Sequence, residues 1–329
     1  MMPDMKKIYY YPSAPRGGYK NPYSTNYKEA LKANFKLLDD TPRAKYTAMF
    51  SFLKYALLAD VFVLNWVEDV AFAKLHRFKF LIVYFSLLII RLRKKRIVWM
   101  LHNMHPHKGI TPMTKFIQRY LFNNADLIIA HSKAAAEFAR QNSKVKVCYL
   151  CHPFVGISTS PVDVPNQNID ILIWGEILPY KGVPEFLSLP FVKQFNVRII
   201  GRCKDTLLDE KIKALCSPNI KYENRKISFD ELKALIDKTR YVLFPYVGDC
   251  VSSSGALIDT LTLGGCVVGP NVGAFKDLQE EGVCLTYHSN EELFDLLKND
   301  IAVDKARISR FIKDNSWANL SNFLVKNIG

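Results

Sequence analysis

The sequence lacks the short motifs that most often assign a protein to a functional class. No apolar run follows the charges of the first twelve residues, so we expect no signal peptide. There is no internal repeat and no low-complexity tract. A Gly-x-Gly-x-x-Gly turn after a strand, a P-loop and a Gly-x-Ser-x-Gly elbow are all absent. Nicotinamide chemistry, ATP hydrolysis and serine-hydrolase chemistry therefore lose support.

Cysteines in disulfide or zinc-ligand patterns are also lacking. The seven cysteines are odd in number and scattered, and only Cys148 and Cys151 lie close together. That pair falls inside an apolar strand pattern, and no second pair stands at metal-ligand spacing. We therefore predict a reduced, cytoplasmic protein without a metal site.

Carboxylates are scarce in the first half of the chain. The 329 residues carry a net charge of +14, but residues 1–150 hold 25 Lys and Arg against 9 Asp and Glu, and the remainder holds 20 against 22. This asymmetry predicts an anionic partner for the first half, unless it serves solubility alone. Aromatic residues do not interleave with the basic ones, and no recognition helix stands out, so a membrane surface is favoured over nucleic acid.

The most apolar stretch, residues 78–90, is too short for the roughly 20 residues of a membrane-spanning helix. We place it in a long helix over residues 70–94, either buried against a sheet or lying in a membrane interface. A cluster of five basic residues follows between Arg91 and Arg96. It suits an anionic headgroup layer, and it equally suits the solvated C-terminus of a helix.

Strands and helices alternate along the chain, and the strands are continuously apolar. The predicted strands are residues 8–11, 60–65, 97–102, 126–130 and 145–150, then 170–174, 197–200, 241–245 and 266–268. Continuous apolar strands indicate parallel sheets covered on both faces. We predict an α/β protein of two doubly wound, Rossmann-like parallel-sheet domains that face a central cleft, joined by a Pro- and Ser-rich linker at 153–168. Ligands bind such sheets at the carboxyl ends of the strands.

Two loops in the second half are candidate phosphate sites. A small-residue loop leads into a predicted helix that Ser253 or Ser254 caps, and Gly255 would let an anion approach the free N–H groups of its first turn. Asp259 lies one turn along and could accept hydrogen bonds from a ribose diol, or be an ordinary surface carboxylate. Lys181, in the loop from Gly175 to Gly182, is placed to neutralise a diphosphate, or is simply solvated.

Arg202 follows another predicted strand of the second half and is a weaker candidate for a phosphate or base contact.

Histidines concentrate in the first half. His102, His131 and His152 close predicted strands, and His107 lies in the loop after His102. A strand-end histidine could bind a sugar hydroxyl or carry a proton. We favour this role for His102 and structural roles for His131 and His152. A metal site is the alternative, but no carboxylate or cysteine accompanies them at ligand spacing.

With these motifs the chain resembles the GT-B glycosyltransferases over nearly its whole length, especially the bacterial family 4-like enzymes of exopolysaccharide, capsule and O-antigen assembly. The motifs that carry the resemblance are Asn21-Pro-Tyr23, Asn65-Trp-Val-Glu68, Trp99-Met-Leu-His102-Asn with Pro106-His107, Ala125 to Ser132, Tyr180-Lys-Gly182, Ser253 to Asp259, Gly265 to Gly273, and Asn315-Ser-Trp317. The resemblance implies an acceptor domain at 1–155, a nucleotide-sugar donor domain at 156–310, and a C-terminal helix at 311–329 that crosses back to the first domain.

By this resemblance the donor diphosphate is bound by Lys181 and the turn of Ser253, Ser254 and Gly255, while a loop containing Gly18 closes on the phosphates or the acceptor. Asp259 then binds the ribose and His102 contacts the transferred sugar. The further candidates for sugar or base contacts are Tyr180, Arg202, Asp249 and His107.

Three departures from the family pattern stand out. The arginine expected near the start of the Lys-Gly loop is missing, and Glu176 and Leu178 occupy that region. Of two glutamates expected eight residues apart, the second is Asp259 and the first falls on Val251, although Asp249 could substitute for it. The histidine expected before Trp66 is Asn65.

The sequence thus predicts a metal-independent hexosyltransferase that uses a UDP- or GDP-type sugar donor and no cofactor. Its acceptor is expected to be a lipid-linked saccharide of bacterial surface polysaccharide synthesis, at the anionic inner face of the cell membrane, and no nucleic acid is involved. If the anomeric configuration inverts, the candidates for the base are Glu68, Asp69 and His102. The alternatives are a sugar-nucleotide 2-epimerase on the same scaffold and a non-catalytic subunit that binds nucleotide or saccharide.

Overall fold

A computed structural model describes residues 5–13, 21–40, 45–102, 104, 109–157, 159–160, 162, 168–248 and 254–328, with the backbone alone at 45–49. The chain divides into two compact units. The first unit comprises Met1–Pro153 together with Asn315–Gly329, and the second unit comprises Phe154–Asp314. Each is described by itself.

Within the described residues the strands, in chain order, are β1 (Lys7–Tyr11), β2 (Lys36–Leu37), β3 (Val61–Asn65), β4 (Arg96–Leu101), β5 (Leu127–Ala130), β6 (Lys146–Tyr149), β7 (Ile169–Trp174), β8 (Val197–Ile200), β9 (Ile220–Glu223), β10 (Thr239–Leu243), β11 (Val267–Pro270) and β12 (Leu285–Tyr287). The helices are α1 (Pro22–Lys32), α2 (Lys45–Ala56), α3 (His76–Leu92), α4 (Pro112–Asn124), α5 (Lys133–Asn142), α6 (Val183–Leu187), α7 (Thr206–Ala214), α8 (Phe229–Ile236), α9 (Gly255–Thr262), α10 (Gly273–Glu280), α11 (Asn290–Lys298), α12 (Lys305–Asp314) and α13 (Trp317–Ile328). Three 3-10 turns span Val67–Phe72, Pro179–Lys181 and Pro190–Gln194.

The first unit is built on a six-stranded sheet in the order β2-β1-β3-β4-β5-β6, with every neighbouring pair parallel. All residues of β3 and β5 are buried, as continuous apolar strands require when helices cover both faces of a sheet. One core of this unit is rich in aromatic side chains. It includes Tyr9, Phe52, Phe62 and Trp99, none more than 1% exposed.

The second unit repeats the arrangement with a sheet in the order β12-β11-β10-β7-β8-β9, again parallel at every pair. Its core packs apolar side chains of β7, β8 and β10 against helices on the sheet faces. The predicted fold class of two Rossmann-like parallel-sheet domains is confirmed by these two sheets.

The C-terminal helix α13 belongs to the first unit, where it packs against α1. The Trp317 ring meets the rings of Tyr23 and Tyr27 edge-on, at centroid distances of 5.1 and 5.4 Å. Asn34 Nδ2 donates to Ser321 Oγ at 2.9 Å. Aromatic packing and a buried hydroxyl thus hold the end of the chain on the first unit.

The helix predicted over residues 70–94 is shorter than expected. A 3-10 turn occupies its first part, and α3 begins only at His76 because Leu75 adopts a left-handed φ of 59° that an α-helix does not contain. Among the helices that the structure describes, none is long and apolar enough to cross a membrane.

Gly201, at the end of β8, should not tolerate a side chain. A Cβ at this position would lie 1.9 Å from the carbonyl oxygen of Gly175, so the ends of β7 and β8 would have to separate. We expect Gly201→Ala to lower the free energy of unfolding by about 1–3 kcal/mol, measured by urea denaturation. Gly156→Ala is the matched control, since no atom lies within 4 Å of its added Cβ. Equal stability of the two variants would contradict the close approach.

Candidate functional site

In the second unit, three strand ends come together at the carboxyl edge of the sheet. Gly175 follows β7 with φ of 101°, and its carbonyl lies against Gly201 at the end of β8. Gly182, with φ of 64°, lies so close to the chain after β10 that an added Cβ would sit 2.1 Å from the Pro245 carbonyl oxygen. The Val247 N–H donates to the Tyr180 carbonyl at 2.9 Å, which fastens the loop before Gly182 to the segment after β10.

This loop buries the ammonium group of Lys181. Lys181 ends the 3-10 turn and is 9% exposed, yet among the described residues it has no hydrogen-bond or ion-pair partner. Burial lowers the pKa of Lys181 to about 8, and the charge of Glu176 partly opposes this. The Glu176 carboxylate itself pairs with exposed Lys204, at 3.0 Å. A buried cation without a counter-charge is costly, and a bound anion would relieve that cost.

The N-terminus of α9 lies next in this arrangement. Lys181 Nζ is 5.7 Å from the centroid of the Tyr246 ring, and the Tyr246 hydroxyl is 3.1 Å from Ser254 Oγ. Ser254 is the N-cap residue of α9, but its side chain makes no capping hydrogen bond to the helix. Gly255 opens the helix with no atom within 4 Å of an added Cβ. Among the described residues, the first N–H groups of α9 thus have no side-chain cap and lie beside a buried cation, an arrangement suited to an anion.

Asp259 lies one turn further along α9 and is half-buried. Burial raises its pKa to about 6, and no partner for its carboxylate occurs among the described residues. It therefore has free acceptor oxygens on the same helix that begins at Gly255. Hydroxyl groups of a ligand could donate to them.

The other residues predicted for this site have different surroundings. Tyr180 is half-exposed, with its ring 5.7 Å from that of Tyr246. Arg202 is exposed, and its carbonyl accepts from Ile177 N–H. The predicted residues Ser253 and Asp249 lie outside the described residues, as do Gly18 and His107 of the first unit.

In the first unit, polar side chains gather at the carboxyl edge of its own sheet. His102 follows β4 and is buried against Trp66, whose ring stacks on the imidazole with centroids 4.2 Å apart and planes 14° from parallel. His102 Nε2 is 3.0 Å from Oδ1 of Asn65, the last residue of β3. Asn65 Nδ2 in turn donates to the Tyr11 carbonyl at the end of β1, at 3.4 Å.

These contacts define the protonation state of His102. The Tyr11 carbonyl only accepts, so the Asn65 amide nitrogen faces it and the amide oxygen accepts from His102 Nε2–H. Burial holds the pKa of His102 well below its usual value, and the nearby His131 and His152 lower it further. His102 is thus a neutral imidazole whose Nδ1 lone pair has no hydrogen-bond partner among the described residues. Such a group can accept a proton or a hydroxyl hydrogen bond.

His131 and His152 stand beside His102, with ring centroids 5.5 Å apart at each step. His131 Nδ1 donates to the Leu150 carbonyl at 2.8 Å, so in the neutral ring Nε2 accepts from the Tyr23 hydroxyl at 2.7 Å. Burial lowers the pKa of His131 to about 3. Despite this cluster, no group of three or more His, Cys, Asp or Glu side chains among the described residues is arranged to hold a metal ion.

Glu68, in the 3-10 turn after β3, is buried, and its Oε2 has no hydrogen-bond partner among the described residues. Burial raises its pKa to about 7, and the neighbouring Asp69 raises it further. Asp69 is exposed. The charge of Glu68 lies close enough to the Tyr11 side chain to raise the pKa of Tyr11. The carbonyl of Tyr11 in turn accepts from Asn65 Nδ2. The Glu68 carboxyl therefore lies at the same carboxyl edge of the sheet as His102, with a pKa close to neutral pH.

Sequence reasoning missed several residues of both groups. Tyr246 links Lys181 to Ser254, and Asn65 fixes the tautomer of His102, although Asn65 had stood out only as a departure from the family pattern. Tyr23 and Trp66 pack around His102. Two signals could have found them: each of these residues ends or follows a strand or begins a helix, and Tyr23, Asn65 and Trp66 also stand in the motifs that carry the family resemblance.

The chain resembles known proteins in structure, but its sequence does not match theirs closely. No family model matches the chain, and no curated protein matches it. Among solved structures, Anabaena Alr3699/HepE in complex with UDP-glucose is 13% identical with a TM-score of 0.60, covering 98% of this chain and 97% of that one. AviGT4, a glycosyltransferase of avilamycin A biosynthesis, is 13% identical with a TM-score of 0.63 and the same coverage. The trehalose-6-phosphate synthase OtsA is 10% identical with a TM-score of 0.65, covering 98% of each chain.

The chain has the fold of these GT-B glycosyltransferases. The likeness extends over essentially the full length of both partners in each comparison. At these identities it shows the fold alone.

The buried histidine His131 predicts an acid-sensitive first unit. Its pKa is about 3 in the fold and about 6.5 in an unfolded chain, so between these values only the unfolded chain binds the proton. The free energy of unfolding should therefore fall as pH drops from 6.5 to 5, by about 1–2 kcal/mol from this residue. We expect His131→Gln to show a smaller fall, measured by urea unfolding at the two pH values.

The comparison between variant and wild type reports His131 together with its effect on the pKa of His102, and both contributions have the same sign. Glu68, whose pKa is raised, acts with the opposite sign, but it is present in both proteins and cancels in the difference. A His131→Gln variant with the same pH dependence as the wild type would contradict the buried, neutral imidazole.

Proposed function

We propose that the protein is a glycosyltransferase that moves a sugar from a nucleotide diphosphate sugar to a saccharide acceptor. The observation that carries the proposal is the buried ammonium of Lys181, which has no ion-pair partner among the described residues and lies beside the N-terminus of α9. A diphosphate would supply a counter-charge for Lys181 and acceptors for the first N–H groups of α9. The leaving group of the reaction is itself a nucleoside diphosphate, so the same groups stabilise the charge that develops as the glycosidic bond breaks.

In this proposal the nucleotide is of the UDP or GDP type and Asp259 binds its ribose. The half-buried carboxylate of Asp259 has no partner among the described residues and lies one turn along α9 from the proposed diphosphate site. Tyr180 and Arg202 are further candidates for contacts with the base or sugar. Lys181 and the helix N-terminus together supply positive potential at the leaving group, so we propose a reaction that needs neither a metal ion nor an organic cofactor.

We assign the acceptor to the first unit. Nδ1 of neutral His102, which has no partner among the described residues, can accept a hydrogen bond from a sugar hydroxyl. The Glu68 carboxyl has the pKa of about 7 that suits a proton acceptor at neutral pH. If the reaction inverts the anomeric carbon, His102, Glu68 or Asp69 is the base. If it retains the configuration, these groups bind and orient the acceptor.

The acceptor is proposed to be lipid-linked, at the anionic cytoplasmic face of a membrane, as in surface polysaccharide synthesis. The support is the charge of residues 1–150, which hold 25 basic against 9 acidic residues. A basic surface is drawn to anionic lipids and to polyphosphate-linked lipids alike. The glycosyltransferase fold of the neighbours is compatible with this assignment.

A ligand screen followed by product analysis tests the proposal. We expect UDP- or GDP-sugars to raise the thermal midpoint, since a ligand that binds only the folded state stabilises it. The donor that binds is then incubated, in the presence of EDTA, with a lipid-linked saccharide and with buffer alone. Sugar transfer that requires the acceptor supports the proposal. An epimerised sugar nucleotide formed without acceptor would contradict the proposal in favour of a 2-epimerase. Binding without any turnover would contradict it in favour of a non-catalytic subunit.

Lys181→Ala gives the sharpest test of the site. Loss of this charge should weaken transition-state stabilisation by about 2–4 kcal/mol, which appears as a fall in kcat/KM. The wild-type rate should also decline as pH rises above about 8, where Lys181 loses its proton in the free protein.

Lys204→Ala is the matched control. Lys204 is another lysine of the second unit, but it is exposed and paired with Glu176. Unchanged kcat/KM in Lys181→Ala, or an equal loss in Lys204→Ala, would remove Lys181 from the mechanism.

A further inference from the structure

One helix of the first unit is apolar on the face that it exposes. The buried side of α3 packs Val83, Leu87 and Ile90 into the core of the unit. Beyond its first residue, α3 has eight exposed positions. They are Arg77, Phe78, Leu81, Tyr84, Phe85, Leu88, Arg91 and Leu92. The outer face of a surface helix is normally polar, and a helix that is apolar all round is normally covered on all sides.

The apolar side chains of this face form one stripe. At 100° per residue, the eight exposed positions fall within an arc of about 140°. The six apolar or aromatic side chains among them are between 37% and 73% exposed. From Phe78 to Leu92 the stripe is about 21 Å long.

Neighbouring helices extend the stripe into a patch. Phe50 of α2 contacts Phe78, with ring centroids 6.0 Å apart, and Phe116 of α4 contacts Tyr84 at 5.8 Å. Both phenylalanines are more than 40% exposed. The α3 patch is defined here as Phe50, Phe78, Leu81, Tyr84, Phe85, Leu88, Leu92 and Phe116. Contiguous exposed apolar surface of this kind marks an interaction site.

The charges around the α3 patch have one sign. Residues 70–125, which contain α3 and α4, include eleven Lys and Arg and no Asp or Glu. Six of these cations are exposed around the patch and have no ion pair among the described residues; they are Arg77, Arg91, Arg93, Lys94, Lys115 and Arg119. By contrast, Lys95 pairs with Asp60, and Arg96, the first residue of β4, pairs with Asp126.

We propose that the α3 patch is a membrane-docking surface that lies in the headgroup region of an anionic bilayer. The apolar side chains enter the boundary of the acyl chains, and the arginines and lysines meet lipid phosphates. This inference deepens the membrane part of the proposed function and rests on it. A second copy of the chain fits the patch less well, because a two-fold contact would set these cations against each other with no carboxylate in residues 70–125 to pair with them.

The position of α3 relates docking to the candidate acceptor site. The 3-10 turn that holds Glu68 ends at Phe72, and α3 begins four residues later and packs against that turn. The helix therefore starts at the carboxyl edge of the sheet, where His102 and Glu68 lie. A bilayer along α3 places this edge beside the membrane surface, where the saccharide of a lipid-linked acceptor is found.

Vesicle sedimentation tests the docking surface. The wild-type protein should bind vesicles that contain about one-third phosphatidylglycerol, bind phosphatidylcholine vesicles more weakly, and be partly released by salt. The triple variant Leu81→Gln, Phe85→Gln, Leu88→Gln should bind anionic vesicles at least about tenfold more weakly, because its apolar side chains no longer enter the bilayer. Leu207→Gln with Phe229→Gln is the matched control. It replaces exposed apolar residues of the second unit and should bind as the wild type does.

A single substitution tests the docking surface even if the triple variant misfolds. Leu81→Trp keeps an apolar side chain, so vesicle binding should persist. The emission of the new tryptophan, taken as the difference from wild type, should shift to the blue on anionic vesicles and be quenched by brominated lipid. Vesicle-bound protein with unshifted, unquenched emission would overturn the proposal.

Two further outcomes would overturn it as well. One is wild-type vesicle binding by a folded triple variant. The other is self-association without vesicles that the triple variant abolishes, which would assign the patch to a second copy of the chain. All of these measurements omit the sugar nucleotide, whereas donor binding is measured without vesicles. A failure of docking is thereby distinguished from a failure of the proposed function.

Discussion

Parallel pairing of every neighbouring strand is the constraint from which both candidate sites follow. In a parallel sheet all strands end at the same edge, so residues far apart in the chain are brought together there. In the first unit this edge collects Tyr11, Asn65 and His102 into one chain of hydrogen bonds. In the second unit the ends of β7, β8 and β10 approach so closely that glycines are needed at Gly182 and Gly201.

The two edges differ in the charge that they hold. The second unit buries a cation, Lys181, beside the N-terminus of α9, which has no side-chain cap among the described residues, so this edge is suited to an anion. The first unit buries neutral imidazoles and the Glu68 carboxyl with its raised pKa, so its edge offers hydrogen-bond acceptors and a proton acceptor instead. The proposed transfer, from an anionic donor to a saccharide hydroxyl, would use both kinds of surface.

The buried inner strands could be predicted from the sequence, whereas of the four edge strands only β6, predicted at residues 145–150, was found. Continuous apolar runs identified the inner strands of both sheets. The strands β2, β9 and β12 were missed, and all three are edge strands that are short or half-exposed, so they carry no continuous apolar run. The start of α3 was also misplaced, because nothing in the sequence indicates that Leu75 adopts a left-handed conformation.

The candidate sites could be predicted in part. Strand-end position singled out His102, Lys181 and the start of α9, because polar residues there follow apolar strands. The environment of each was not predictable. That Lys181 is buried depends on the contact of its loop with the segment after β10, and the tautomer of His102 depends on Asn65 at the end of another strand. Such contacts between segments distant in sequence are set by packing and leave no local pattern.

Hydrogen–deuterium exchange with and without the donor tests the central claim most directly, because it maps where the nucleotide binds without any variant. The account predicts that the UDP- or GDP-sugar that stabilises the protein slows exchange at residues 175–183 and at the start of α9, where the backbone N–H groups would meet the diphosphate. Protection confined to the first unit, with unchanged exchange around Lys181 and Gly255, would contradict the account.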